Sequence, residues 1–183
     1  TVSAGVGFSS LDKAKIFAEV NQSNFDLFNY KNYIRSAGQK LRLYGSLAQE
    51  SNEAILNFEE PWLFQRRLAG GFSLYHTETD YVSSKYNERR QGFEVYLRKR
   101  LVELVDGRLG YRRENVEIFD VSDDASTAIQ DEAGKRTVSK VTLSLTRDTR
   151  DKVLFTTKGN RLELNTSWAG NGFGGDTDYW MVE

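Results

Sequence analysis

His76 is the only histidine in this chain, and there is no cysteine to act as a nucleophile, a disulfide partner or a zinc thiolate. His76 lies within a run of alternating residues, and no Gly-x-Ser-x-Gly turn exists to present a serine to it. The neighbouring carboxylates Glu59 and Glu60 would point to opposite faces of a regular strand, which is poor geometry for shared acid–base chemistry. Asp120, Asp123, Asp124, Asp131 and Glu132 have the charge to attract calcium, but the spaced aspartates and central glycine of a calcium loop are missing. The glycines from Gly170 to Gly175 do not lead into a helix, as a phosphate cradle requires. The chain is therefore expected to be neither an enzyme nor a binder of metal or other cofactor.

The elements that would position these residues read as strands. Period-two alternation recurs through almost the whole chain, while apolar spacings of three and four do not persist beyond a turn. Val2, Ala4, Val6 and Phe8 oppose Ser3, Gly5, Gly7 and Ser9. Ala14, Ile16, Ala18 and Val20 oppose Lys15, Glu19 and Asn21, with Phe17 an exception on the polar side. The same reading applies around Leu41 to Leu47, Leu56 to Glu59, Leu68 to Thr77, Phe93 to Arg98, Arg108 to Arg112, Val141 to Thr146 and Arg161 to Trp168. A last run begins at Tyr179, so the pattern predicts an antiparallel meander of nine strands and a partial tenth. Phe119 to Arg136 is long and acidic, and is predicted to be a mobile surface loop.

Two architectures share this alternation. A soluble β-sandwich strand buries its apolar face against a second sheet, whereas a membrane-barrel strand shows it to lipid and keeps its polar face toward the lumen. The runs Lys13 to Asn24, Gln39 to Glu50, Glu88 to Arg100 and Arg136 to Arg147 reach the length of about 9 to 11 residues that a barrel strand needs. Trp62, Phe64, Tyr81, Tyr86, Trp168, Phe173, Tyr179 and Trp180 lie at or near run ends, where aromatics anchor a barrel at the membrane interface; aromatics also favour strands in general. No apolar stretch is long enough for a membrane helix, and the N-terminus is not a signal peptide. A membranous chain of this kind would be a barrel cut from inside a longer precursor. The formal net charge of -1 gives no general attraction to nucleic acid. Periodicity alone leaves barrel and sandwich both open.

Local motifs add a resemblance. Thr146-Arg147-Asp148-Thr149-Arg150-Asp151 followed by Lys158-Gly159-Asn160-Arg161-Leu162 resembles a strand–turn–strand signature of the BamA family of outer-membrane assembly factors. Gly174-Gly175-Asp176-Thr177-Asp178-Tyr179 is similar to its glycine-and-aspartate loop. Glu60-Pro61-Trp62-Leu63 resembles its acidic-Pro-aromatic step after the fourth strand, and Gln22-Ser23-Asn24-Phe25 the polar end of the second. Thr156 stands where the family commonly has a turn proline, and Met181 where it commonly has a lysine. The motif residues also have physical roles of their own. Pro61 lacks an amide donor and ends a ladder, Asp148 and Arg150 would pair on one strand face, and Gly159 would supply a left-handed turn.

The resemblance implies a non-enzymatic outer-membrane protein that folds and inserts other barrel proteins. It implies that residues 1–183 form a partial barrel domain, without the family's periplasmic repeats and C-terminal strands. The first strand, with Val2, Gly5, Val6, Gly7 and Phe8, would be a lateral-gate edge for incoming strands. Partners would be unfolded outer-membrane proteins, accessory assembly lipoproteins and outer-membrane lipid. Pro61 to Arg67 and Asp151 to Asn160 would be periplasmic turns, and Phe119 to Arg136 extracellular. A related secretion or translocation barrel and a soluble sandwich binding module remain the competing readings.

Overall fold

Alternation places one side chain in two on each face of a strand, and here each strand pairs with its sequence neighbour. A computed structural model describes residues 1–9, 13–26, 38–83 and 85–183. Ten strands, β1 (Val2–Ser9), β2 (Lys13–Phe25), β3 (Gln39–Ala48), β4 (Ser51–Glu60), β5 (Leu68–Ser83), β6 (Tyr86–Val102), β7 (Val105–Phe119), β8 (Gly134–Asp148), β9 (Arg161–Ala169) and β10 (Tyr179–Val182), form one sheet. The spatial order is the chain order, every pairing is antiparallel, and β1 and β10 are the two edges. The nine-and-a-part meander predicted above is thus present element for element.

No second layer covers this sheet among the described residues, whereas a sandwich built from these strands would pack two sheets face to face. Among the described residues the buried apolar side chains are Val116, Ile118 and Ala125, while Phe72, Leu74, Phe93, Val95, Leu97, Leu109, Leu143 and Leu164 are exposed. A water-soluble fold would leave no such continuous apolar surface open. Register shows its continuity. Leu41, Phe58, Phe72, Val95, Tyr111, Val141, Trp168 and Trp180 are successive cross-strand partners from β3 to β10 and form one lipid-facing row. The opposite face carries Glu59, Glu94, Tyr96, Arg108, Arg112 and Glu114, the inside of a barrel wall.

β5 to β8 are 15 to 17 residues long, well beyond a bilayer's requirement. Their excess extends from one end of the sheet, where the outer face changes character. Glu78, Arg89, Glu117 and Lys135 are consecutive partners across β5 to β8. Arg89 reaches Glu78 at 2.9 Å and Glu117 at 3.1 Å, and Lys135 reaches Glu117 at 3.4 Å. This alternating ionic row lies on the same face as Phe93 and Leu109, so the lipid-facing band stops short of it. In the same region, the inward-parity Val116 and Ile118 are apolar and buried. The polarity of the two faces is exchanged above the membrane band.

The expected loop from Phe119 to Arg136 is shorter in structure. Phe119 closes β7, Gly134 to Arg136 open β8, and the connection carries a short helix, α1 (Thr127–Asp131). Gln130 Nε2 donates to the carbonyls of Asp123 (3.2 Å) and Ala125 (3.1 Å), and Lys85 pairs with Asp124. These bonds fold the acidic segment back on itself and onto the β5–β6 connection. The Lys85 ammonium and the Ser122 hydroxyl hold the Asp124 carboxyl below its usual range.

Candidate functional site

The edge strand β1 has eight residues, all matched to β2 from Val2 opposite Val20 to Ser9 opposite Lys13. Thr1 and Asn21 exchange both main-chain bonds, at 2.8 and 2.6 Å. In an antiparallel ladder such pairs alternate with pairs whose amides and carbonyls point away. Val2, Ala4, Val6 and Phe8 therefore present their main-chain groups to the open side, and their side chains lie on the lipid face. Gly5 and Gly7 bond to β2 and face inward. Phe17, the exception to its strand's pattern, fills the space that Gly5 leaves: a Cβ on Gly5 would lie 2.8 Å from its ring. At Gly7 nothing lies within 4 Å, so the inner face of the edge is bare there.

At the other positions singled out from sequence, the fold explains the residue types. Pro61 directly follows the last residue of β4. The Glu60 carboxylate secures that step, accepting from the Trp62 amide at 2.9 Å and from Gln39 Nε2 at 2.8 Å. Trp62 is 55% exposed at the start of the turn. Arg147 continues the outer column Val141, Leu143 and Leu145 and ends it with a cation. Asp148 is the last residue of β8, and Arg150 lies beyond the strand. The expected pairing on one strand face is thus a turn instead. Arg150 wraps back and gives the Asp148 carboxylate its guanidinium at 2.9 and 2.7 Å and its backbone amide at 3.1 Å.

Asp151 organises the following turn. It accepts the Thr157 hydroxyl at 2.5 Å and the amides of Thr157 and Lys158 at 3.1 and 3.0 Å. These donors, the Thr157 hydroxyl foremost, hold its carboxyl down at about 2. Gly159 has φ +89°, and a Cβ there would run into the Thr149 carbonyl oxygen. The glycine is required by both conformation and space. Thr156, at the family's proline position, donates its hydroxyl to the Lys152 carbonyl at 2.8 Å. Met181 pairs with Ser167 on the inward face of β10.

Asp176 pins the β9–β10 connection to the free part of β8. Its carboxylate accepts the Thr137 amide at 2.8 Å and its own amide donates to the Thr137 carbonyl at 2.7 Å. Gly175 packs over Ser139, where a Cβ would approach the Ser139 nitrogen to 2.6 Å, and Tyr111 Oη donates to the Phe173 carbonyl at 3.1 Å. The segment straps the outer face of β7 and β8.

Sequence reasoning did not single out the inner wall. Glu59, Gly71 and Tyr96 are consecutive partners on β4, β5 and β6, and Tyr75, Gly92 and Glu114 are consecutive partners on β5, β6 and β7. In each row the central glycine lets a tyrosine cross the middle strand. Tyr96 Oη reaches Glu59 and Tyr75 Oη reaches Glu114, both at 2.7 Å. Glu94 accepts from Arg112 at 2.5 Å and from Arg108, whose guanidinium sits 4.4 Å from the Tyr96 ring centre. Arg98 and Lys40 complete the Glu59 cluster at 3.0 and 2.9 Å. The charges form a neutralised lattice from β3 to β7, as half-buried charges must. The available sequence signal was one Tyr or Glu in alternation with glycines across neighbouring strands, legible only with the register known.

A single antiparallel sheet with a lipid-facing apolar band and an ion-paired inner face defines an outer-membrane β-barrel wall. Comparisons with known proteins say to which family it belongs. Residues 34–183 match the Omp85 superfamily domain. Over 70 residues, 38% of this chain and 9% of the relative, the sequence is 34% identical to the outer membrane protein assembly factor BamA of Nitratidesulfovibrio vulgaris (strain Hildenborough). The whole chain superposes on the crystal structure of BamA from Haemophilus ducreyi lacking POTRA domains 1–3, with a TM-score of 0.73 at 17% identity, covering 36% of that chain. The chain belongs to the Omp85 superfamily, and its place is the outer membrane. It spans about a third of the solved relative's length.

Proposed function

We propose that these residues are the first strands of the barrel of an assembly factor that folds and inserts other outer-membrane proteins, without catalysing a chemical reaction. The sequence match to an assembly factor favours this over a secretion or translocation barrel. The feature that supports the mechanism is the make-up of β1, a short strand in which Val2, Ala4, Val6 and Phe8 turn main-chain donors and acceptors away from β2 and Gly7 adds no side chain. An edge of this kind is a template for another strand, gaining one ladder without disturbing the ladder to β2. The short, glycine-containing strand tolerates changes of register and partner sequence. Client strands of unfolded outer-membrane proteins are the substrates under this reading, with accessory lipoproteins as assembly partners. The chain enters from the periplasm, so the turns after β4, β6 and β8 are periplasmic and the acidic β7–β8 connection is extracellular.

Proline scanning of β1 in the full-length protein tests the reading. Val6→Pro removes an amide that faces the open side, and should block client insertion while the barrel itself folds. Gly7→Pro removes an amide bonded to β2 and should weaken barrel folding instead. Client insertion into vesicles and heat-modifiable gel migration of the factor separate the two. Normal insertion by a folded Val6→Pro protein would refute the edge mechanism.

A further inference from the structure

The two ends of the sheet differ in a way that the strand-addition reading does not use. The end carrying the turns after β4, β6 and β8 exposes a bulky apolar residue in each turn, held in the left-handed backbone region: Phe64 at φ 55°, Leu104 at 63° and Phe155 at 57°. Side chains rarely adopt this conformation, and such strain persists where it serves a purpose. Phe64 is 79% exposed and Phe155 92%, so packing within the chain does not repay it. Gln65, next to Phe64, shares this conformation at φ 57°, and at the opposite end the described non-glycine residues of this kind are Lys13 and Asp120, neither of them apolar.

Charge divides in the same direction. The turns with the apolar residues carry Arg66, Arg67, Lys152 and Lys158, and the outer column of β8 that leads to them ends in Arg147. Their acidic residues are fewer: Asp151 is held within its own turn, and Glu103 stands beside Leu104. The other end carries Asp120, Asp123, Asp124, Asp131, Glu132 and Asp176.

We propose that the turn end is a rim that binds anionic phospholipid, with Phe64, Leu104 and Phe155 inserted among the lipids and the lysines and arginines on their phosphates. Three features select a lipid layer as the occupant. The rim is continuous with the lipid-facing band, its charge is complementary to anionic headgroups, and an apolar residue recurs in each of the turns after β4, β6 and β8. The turns are two strands apart, roughly 10 Å, which suits a surface better than a single groove. Apolar side chains beside cations are the composition of segments that lie at a membrane interface. The rim sets the depth of the barrel and its direction in the bilayer. The inference rests on the membrane placement of the fold and is independent of strand addition at β1.

The test uses full-length protein in vesicles of phosphatidylcholine alone or with phosphatidylglycerol admixed, with an environment-sensitive fluorophore at Val153→Cys or, at the other end, at Ser122→Cys. Brominated phosphatidylglycerol should quench the Val153 label more strongly than brominated phosphatidylcholine and leave the Ser122 label unaffected. Arg66→Glu with Lys152→Glu should reduce the preference for the anionic lipid by roughly tenfold. Phe64→Gly, Leu104→Gly and Phe155→Gly relieve the backbone strain, so the barrel should fold at least as well by gel migration while the Val153 label loses quenching by both lipids. Equal quenching at the two ends, or no preference for phosphatidylglycerol, would overturn the proposal. Shielding of Val153 only after addition of an accessory lipoprotein or an unfolded barrel protein would overturn it too, in favour of a protein-docking rim.

Discussion

Asp151 shows how a single carboxylate can hold a turn of irregular backbone. Its hydrogen bonds to Thr157 and Lys158 hold its pKa at about 2, below the ordinary 3.8. A depressed carboxyl contributes its stabilisation above its unfolded-state pKa and loses it as the pH falls through the folded value. The β8–β9 turn should therefore remain protected at neutral pH and open between about 4 and about 2. Amide exchange at Thr157 and Lys158 in detergent micelles would report this. Asp151→Asn should remove the pH dependence, and an identical profile in that variant would assign the transition elsewhere. The motif residue Gly159 was legible at this scale, because only glycine enters the left-handed region of a tight turn without steric cost. The partner of Asp148 was legible too, but its geometry was not: Arg150 reaches back from outside the strand.

At the scale of the strand, the inner wall depends on glycines that make room for tyrosines. A Cβ on Gly71 would lie 2.6 Å from the Tyr96 ring and 2.7 Å from the Phe58 carbonyl oxygen. Gly71→Ala should displace Tyr96, break its bond to Glu59 and unsettle Arg108, which stacks on the ring. Tyr96→Phe should break the same bond while keeping the packing. The alanine variant is expected to lower the urea midpoint of the refolded barrel more than the phenylalanine variant does, because it adds overpacking to the lost bond. The reverse order would mean that the hydrogen bond, and not the close approach, governs the wall. Strand identity was legible from alternation for all ten strands, and facing for the apolar band of β1 to β9. The outer ends of β5 to β8 were not, because the alternation continues there while the polar and apolar faces exchange roles.

For the whole molecule, the decisive quantity is how much of the outer face meets lipid. Val95 lies in the middle of the apolar row, and Gln91 lies four residues along β6 on the same face, toward the ionic row. A cation at the bilayer midplane costs a barrel about 2–4 kcal/mol, falling to about 0–1 near the interface. Val95→Arg should therefore destabilise the barrel in vesicles far more than Gln91→Arg, measured by urea unfolding. Equal effects would place the membrane band elsewhere on the sheet.

The sequence by itself determined the number, order and facing of the strands, since a period of two is a local property of the chain. It also determined the identity of the turn motifs, because a left-handed glycine or a ladder-ending proline acts within a few residues. Whether the apolar face met lipid or a second sheet was decided only by the tertiary structure, because both surroundings reward the same alternation. The tyrosine crossings over Gly71 and Gly92, the ionic row from Glu78 to Lys135 and the asymmetry between the two ends also belong to the tertiary structure. Each joins residues from several strands, and register is set by the pairing of whole strands and not by any one segment.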